Sequence, residues 1–214
     1  MQRWSKRVLL ALGFRVSVCG QPPHGSFIAP NHLSYMDIIL LGSVAPQIFL
    51  SKREVAFWPV VGAYTRMAGT LFIDRTRRGD VAGRDEQFGR VIREELCMTI
   101  FLEGTSTDGR EVLPFRSSLL EPVVSNGWSI TPAYLRYECD EGDPSQDVCW
   151  WGDMTFGGHL LRMIKVKRTR AYISFGQTHP PCLDRKQLAR ELYEAVLALQ
   201  GESVVAPTSI AVVE

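Results

Sequence analysis

His32 and Asp37 stand five residues apart in the stretch Asn31-His32-Leu33-Ser34-Tyr35-Met36-Asp37. Histidine is the side chain that holds a proton loosely near neutral pH. A carboxylate at that spacing reaches back to the imidazole if the chain turns into a helix between them. Asp37 then accepts from one ring nitrogen, which fixes the tautomer and leaves the other nitrogen as a base. Such a base draws a proton from a hydroxyl, and the hydroxyl oxygen attacks an acyl carbon. The nucleophile need not belong to the protein. The heptapeptide also has a plainer reading. Asn31, Ser34 and Asp37 all suit a helix start, and a lone His beside an Asp is more often a capped helix than a catalytic pair.

The elements on either side decide whether such a pair is presented or buried. Ser26 to Ala29 reads as a strand that delivers Asn31 and His32 at its end, and Tyr35 to Leu41 reads as the helix that follows. A reactive group where a strand yields to a helix is a common site arrangement in α/β folds. Ahead of it lie a helix over 3–13, a strand at Phe14–Cys19 and a Pro/Gly turn at Gln21–Gly25 with His24 exposed on it. Strands follow at Gln47–Ser51 and Thr70–Ile73. A helix covers 80–96, with Phe88, Val91, Ile92 and Leu96 on one side. Met98–Leu102 is a strand, Ser117–Val124 a helix, Ser129–Tyr137 a strand, and the acidic stretch Glu138–Asp147 a solvent loop. A helix then runs through Ile164 with His159 packed or exposed on it. Thr169–Phe175 is the last strand, and a helix over 185–199 is capped by Asp184. The expected fold is one α/β domain, with a mixed, mostly buried central sheet of about six or seven strands and helices on both faces. Residues 1–13 form an amphipathic helix, 14–200 the domain, and 201–214 a flexible tail without periodicity.

Composition narrows the function classes. With 214 residues, 45% of them hydrophobic, the chain can build a full core. A net charge of +1 and the absence of a reader motif argue against nucleic acid. The charge is uneven. Arg3, Lys6, Arg7 and Arg15 precede any acid, and Arg162, Lys165, Lys167, Arg168 and Arg170 form a second cluster. Beside apolar residues, such clusters suit an anionic membrane surface, although each alone is equally a solvated face. The run Val8–Phe14, with Trp4 ahead of it, is too short to span a bilayer but suits an interfacial helix. Five scattered cysteines (Cys19, Cys97, Cys139, Cys149, Cys182) without a Cys-x-x-Cys pair point to reduced thiols, with Cys149 in the packing. The four histidines are far apart in sequence, so no metal site is expected, and no Gly-x-Ser-x-Gly elbow, Walker loop or G-x-G-x-x-G is present.

Three further segments accompany the His-Asp stretch: Gly69-Thr70-Leu71-Phe72-Ile73-Asp74-Arg75, Phe101-Leu102-Glu103-Gly104-Thr105 and Ile130-Thr131-Pro132-Ala133-Tyr134. The guanidinium of Arg75 is a planar fork suited to phosphate, with Arg77 and Arg78 adding charge. Gly104 lets backbone N–H groups approach a ligand. The order and spacing of the four segments resemble the blocks of the glycerolipid acyltransferase family, over about residues 25–135. The first block, Asn-His-x4-Asp, is intact as Asn31, His32 and Asp37. The second matches through Phe72, Ile73, Asp74 and Arg75. The third, usually Phe-Pro-Glu-Gly-Thr-Arg, departs at Leu102 and Ser106, and the fourth is a loose match.

The resemblance implies acyl transfer from a thioester, either acyl-CoA or acyl-carrier protein, to a lysolipid hydroxyl, with no metal or organic cofactor. It implies His32 as general base, Asp37 as its partner, and Arg75, Glu103, Gly104, Thr105 and Arg116 at the acceptor. It implies that Phe57, Trp58 and Tyr64 lie near the acyl chain, where ordinary core packing explains them equally well. The expected protein is peripheral, on the cytoplasmic face of the membrane, without a transmembrane span. Arg75 favours 1-acyl-sn-glycerol-3-phosphate as acceptor. Glu103–Gly109 with Pro114–Ser118, and later Gly152–Thr155, are similar to the lyso-ornithine-lipid acyltransferase branch, whose acceptor carries no phosphate. A third reading is a silent lipid-binding module, against which the intact His32 and Asp37 argue.

Overall fold

In the computed structural model, described over residues 2–52, 70–73, 85–205 and 211–212, a single sheet carries all eight strands found among them. Its order is β4-β3-β5-β2-β6-β7-β1-β8. These strands are β1 (Phe14–Cys19), β2 (Phe27–Pro30), β3 (Gln47–Lys52), β4 (Leu71–Ile73), β5 (Cys97–Thr99), β6 (Ile130–Cys139), β7 (Thr169–Phe175) and β8 (Ala211–Val212). β4, β3, β5, β2 and β6 run parallel, β7 turns back antiparallel to β6, and β1 runs parallel to β7. The sheet is therefore mixed, as expected.

Alternation along the central strand builds two cores. Phe27 and Ala29 of β2 face one side and Ile28 the other, all fully buried. On the Ile28 side lie α1 (Gln2–Ala11), α2 (Met36–Val44) and, further along the chain, a helix at Phe156–Lys165. On the Phe27 side lie α3 (Asp85–Arg93), the short α4 (Glu121–Ser125) and the long closing helix. α5 is a single turn at Pro144–Asp147, the helix at Phe156–Lys165 is α6, and the closing helix Arg185–Val205 is α7. None of the described helices is long and apolar enough to cross a membrane.

The structure corrects the sequence reading in three places. The closing helix does not stop at 199 but continues to Val205. Ala211–Val212 then pairs antiparallel with Val18 and Ser17 of β1, so the tail contributes the eighth strand. The expected solvent loop at 138–147 begins as strand, since β6 runs to Cys139, and then holds α5, capped by Asp143 accepting from Ser145 N–H. The helix at Ser117–Val124 opens as a 3-10 turn over Ser117–Leu120. Asp184 caps α7 as expected, its Oδ1 accepting from the Lys186 and Gln187 N–H groups.

Candidate active site

β2 ends at Pro30, which gives no N–H to a ladder. The chain crosses to α2 through Asn31–Tyr35, and the connection is held by side chains in place of strand pairing. Asn31 acts as an extra rung between β2 and β6: its Nδ2 donates to Leu135 O at 3.1 Å and its Oδ1 accepts from Leu135 N–H at 2.6 Å. Asp37, in the first turn of α2, is fully buried. Its Oδ2 accepts from Leu33 N–H at 2.7 Å, Ser34 N–H at 3.0 Å and His32 Nδ1 at 2.8 Å. Its Oδ1 accepts from the Tyr137 hydroxyl at 2.7 Å. Every partner of Asp37 is thus a donor, the set a carboxylate anion takes. The capped-helix and catalytic readings of the heptapeptide prove compatible, because the same oxygen that closes the turn also holds the imidazole.

With Nδ1 engaged, His32 presents Nε2. That atom has no hydrogen-bond partner among the described residues, and the side chain is 21% exposed. The ring is stacked on Phe101, with centroids 3.9 Å apart and planes 23° apart. Two faces of the imidazole are therefore fixed, one by a carboxylate and one by an aromatic plane. The arrangement orients a base toward solvent at the carboxyl ends of the parallel strands β5, β2 and β6.

Glu103 follows β5 and stands apart from the acceptor role expected of it. It is 1% exposed, and its carboxylate is committed to backbone: Oε1 accepts from His32 N–H at 2.6 Å and Oε2 from Leu113 N–H at 2.7 Å. Burial pushes this carboxyl up to about 7, against the pull of the two N–H bonds. Thr107 N–H donates to His32 O at 2.9 Å, so the 101–109 turn grips the histidine from both ends of its backbone. Gly104 sits at φ +75°, and a side chain there would come within 3.1 Å of the Arg116 guanidinium. At that φ any other residue is strained, and its side chain would also press on the exposed arginine that lies across the turn. Thr105 is exposed beside it. Arg75 lies outside the described residues, as do Phe57, Trp58 and Tyr64.

Further contacts that build the site carry no local sequence signal. Tyr137 reaches Asp37 from 100 residues away through the β2–β6 register. Phe101 meets His32 because β5 and β2 are neighbours. Trp150 N–H donates to Leu33 O at 2.8 Å, and Ser106 Oγ donates to Trp150 O at 2.5 Å. Tyr35 joins the His32 turn to α6, its hydroxyl hydrogen-bonded to His159 Nδ1 at 3.0 Å. Burial pushes the His159 imidazole below its ordinary value and desolvation of the half-buried Tyr35 phenol pushes it above its own, so both are neutral.

Known proteins resemble this chain in sequence and in fold. The Acyltransferase family model matches residues 17–136. A lyso-ornithine lipid O-acyltransferase of Pseudomonas aeruginosa is 36% identical over 208 residues, covering 96% of this chain and 79% of that protein. A 1-acyl-sn-glycerol-3-phosphate acyltransferase of Neisseria meningitidis is 28% identical, covering 78% of this chain and 67% of that protein. The crystal structure of the 1-acyl-sn-glycerophosphate acyltransferase PlsC from Thermotoga maritima superposes with a TM-score of 0.68 at 21% identity, covering 97% of this chain and 80% of that one, which establishes the shared fold. A family match spanning more than half the chain, around a buried carboxylate that holds His32, makes this protein a member of the Acyltransferase family and an O-acyltransferase.

Proposed function

We propose that the protein transfers a fatty acyl group from a thioester to the free hydroxyl of lyso-ornithine lipid. The observation that carries the chemistry is the 2.8 Å contact of His32 Nδ1 with Asp37, which leaves Nε2 as the base. Nε2 takes the acceptor's hydroxyl proton as its oxygen attacks the thioester carbonyl carbon. The tetrahedral intermediate expels the thiolate, the carbon–sulfur bond breaks, and the imidazolium returns the proton to sulfur. Asp37 holds the cation between these steps. No metal or organic cofactor enters this scheme. The donor is acyl-CoA or acyl-carrier protein, and the protein works as a peripheral enzyme on the cytoplasmic face of the membrane.

Two things support this acceptor over the phosphate-bearing one that the sequence reading put first. Lyso-ornithine lipid O-acyltransferases of Pseudomonas aeruginosa and Rhodobacter capsulatus are each 36% identical, against 28% for the Neisseria glycerol-phosphate enzyme. At the position where the third block usually has arginine, Ser106 turns inward to the Trp150 carbonyl and supplies no cation. The second reading, 1-acyl-sn-glycerol-3-phosphate, is favoured by Arg75 of the second block. A competition assay separates them. Purified protein is given labelled acyl-CoA, then acyl-carrier protein, with both acceptors present in equal amounts. Labelled ornithine lipid as the main product supports the first reading; phosphatidic acid as the main product replaces it with the second.

A further inference from the structure

α6 turns Phe156, His159, Leu160 and Met163 inward at helical spacing, onto the core and Tyr35. Its other side leaves Leu161 64% exposed and Ile164 55% exposed. Arg162 and Lys165 flank them, and exposed Lys167 and Arg168 continue the strip to the start of β7. None of these four cations forms an ion pair among the described residues. Arg170 differs, being neutralised by Glu138 at 3.3 Å and Asp140 at 3.1 Å. The nearby acids are largely occupied as well. Glu138 also binds Arg136, Asp143 caps α5, and Asp147 accepts from Asp143 N–H, while Glu141 remains exposed.

Topology puts this strip beside the catalytic turn. Thr169, at the start of β7, pairs with both Cys139 at the end of β6 and Phe14 at the start of β1. β6 runs parallel to β2, so the ends of α6 and α1 lie at the same edge of the sheet as His32. A side chain at Gly13 would lie 3.6 Å from Arg168 N, which shows that the two helix exits adjoin. Leu10, 77% exposed near the end of α1, extends the apolar content there.

We propose that the outer face of α6, with Val166–Arg168, is a docking surface for an anionic lipid monolayer. Unpaired cations match the headgroup charge. Aliphatic side chains more than half exposed among them call for an apolar phase, which a bilayer supplies and an acidic protein surface does not. The Tyr35–His159 contact on the inner side of α6 ties the helix to the His32 turn, so docking of the outer face brings the His32 edge to the lipid. The proposal rests on the acyl-transfer reading only for why a lipid surface is there. Binding itself is read without turnover, so either idea can fail alone.

The test is sedimentation of the purified full chain with phosphatidylcholine vesicles with and without phosphatidylglycerol. The wild type binds the anionic vesicles. Lys165→Gln/Lys167→Gln weakens that binding roughly 25-fold, at about fivefold per basic residue. Leu161→Ser/Ile164→Ser weakens it too, and circular dichroism shows both variants folded. Lys186→Gln/Arg190→Gln, an equal charge loss on exposed positions of α7 across the sheet, binds as wild type. The proposal is overturned if the wild type ignores anionic vesicles, or if the α7 pair weakens binding as much as the α6 pair. It is overturned equally if the α6 variants keep vesicle binding but lose affinity for acyl-carrier protein.

Discussion

Asp37 has both oxygens filled, and one of its four donors is a side chain that nothing near it in sequence announces. Burial pushes the Tyr137 phenol well above its ordinary value, so it keeps its proton and remains a donor to Asp37. Tyr137→Phe leaves a buried carboxylate oxygen unpaired and loosens the hold on His32. We expect kcat to fall roughly tenfold with KM little changed, the scale of a buried hydrogen bond worth ~1–2 kcal/mol. Steady-state kinetics checks it, and a rise in KM alone would mean that Tyr137 serves substrate binding. Glu103 gives a pH signature. Its carboxyl titrates near 7 when folded and near 4.5 in its ordinary state. Between those values the folded protein binds the extra proton, so the Glu103 contribution is fully present below pH 4.5 and is lost as pH rises through 7. Comparing wild type with Glu103→Gln by urea unfolding isolates it. The stability difference should decline across that window by on the order of 3 kcal/mol and then level. A difference that grows with pH would contradict the assignment.

Asn31 works at the scale of the element, because its amide continues the β2–β6 ladder past a proline that cannot. Asn31→Ala strands the Leu135 N–H and carbonyl in a buried setting. We expect a stability loss of about 2–4 kcal/mol in urea unfolding, accompanied by reduced activity as the His32 turn relaxes. A loss below about 0.5 kcal/mol would mean that water replaces the amide without cost. What could be read from sequence follows the same division. The strand–turn–helix carrying His32 and Asp37 was legible because its signals are local: a short apolar run, capping residues, then a second apolar run. Glu103-Gly104-Thr105 of the third block was legible as a unit but not in its use, since Glu103 meets His32 only because β5 lies beside β2. Tyr137, Phe101 and the Tyr35–His159 contact depend on strand order and on where α6 lands, which no local pattern specifies. The continuation of α7 to Val205 and the pairing of Ala211–Val212 were missed because a weakly periodic tail reads as coil until β1 offers it an edge.

At the scale of the whole molecule, five parallel strands bring separate segments to one edge of the sheet, and β7 and β1, parallel to each other and opposed to β6, bring two helix exits to that same edge. His32, Asp37, the 101–109 turn and the basic, apolar strip of α6 thus share one side of the protein, which suits the proposed transfer from a thioester to a lipid. Membership in the Acyltransferase family gives the reaction type, and the Asp37 contact is what supports the general-base role proposed for His32. The most direct measurement is acyl transfer to lyso-ornithine lipid by wild type and by His32→Ala at matched concentration, with thermal unfolding of both. General-base loss predicts a fall in turnover of roughly 10²–10⁴-fold with an unchanged melting temperature. Turnover retained within about threefold in a folded His32→Ala protein would show that the imidazole held by Asp37 is not the base.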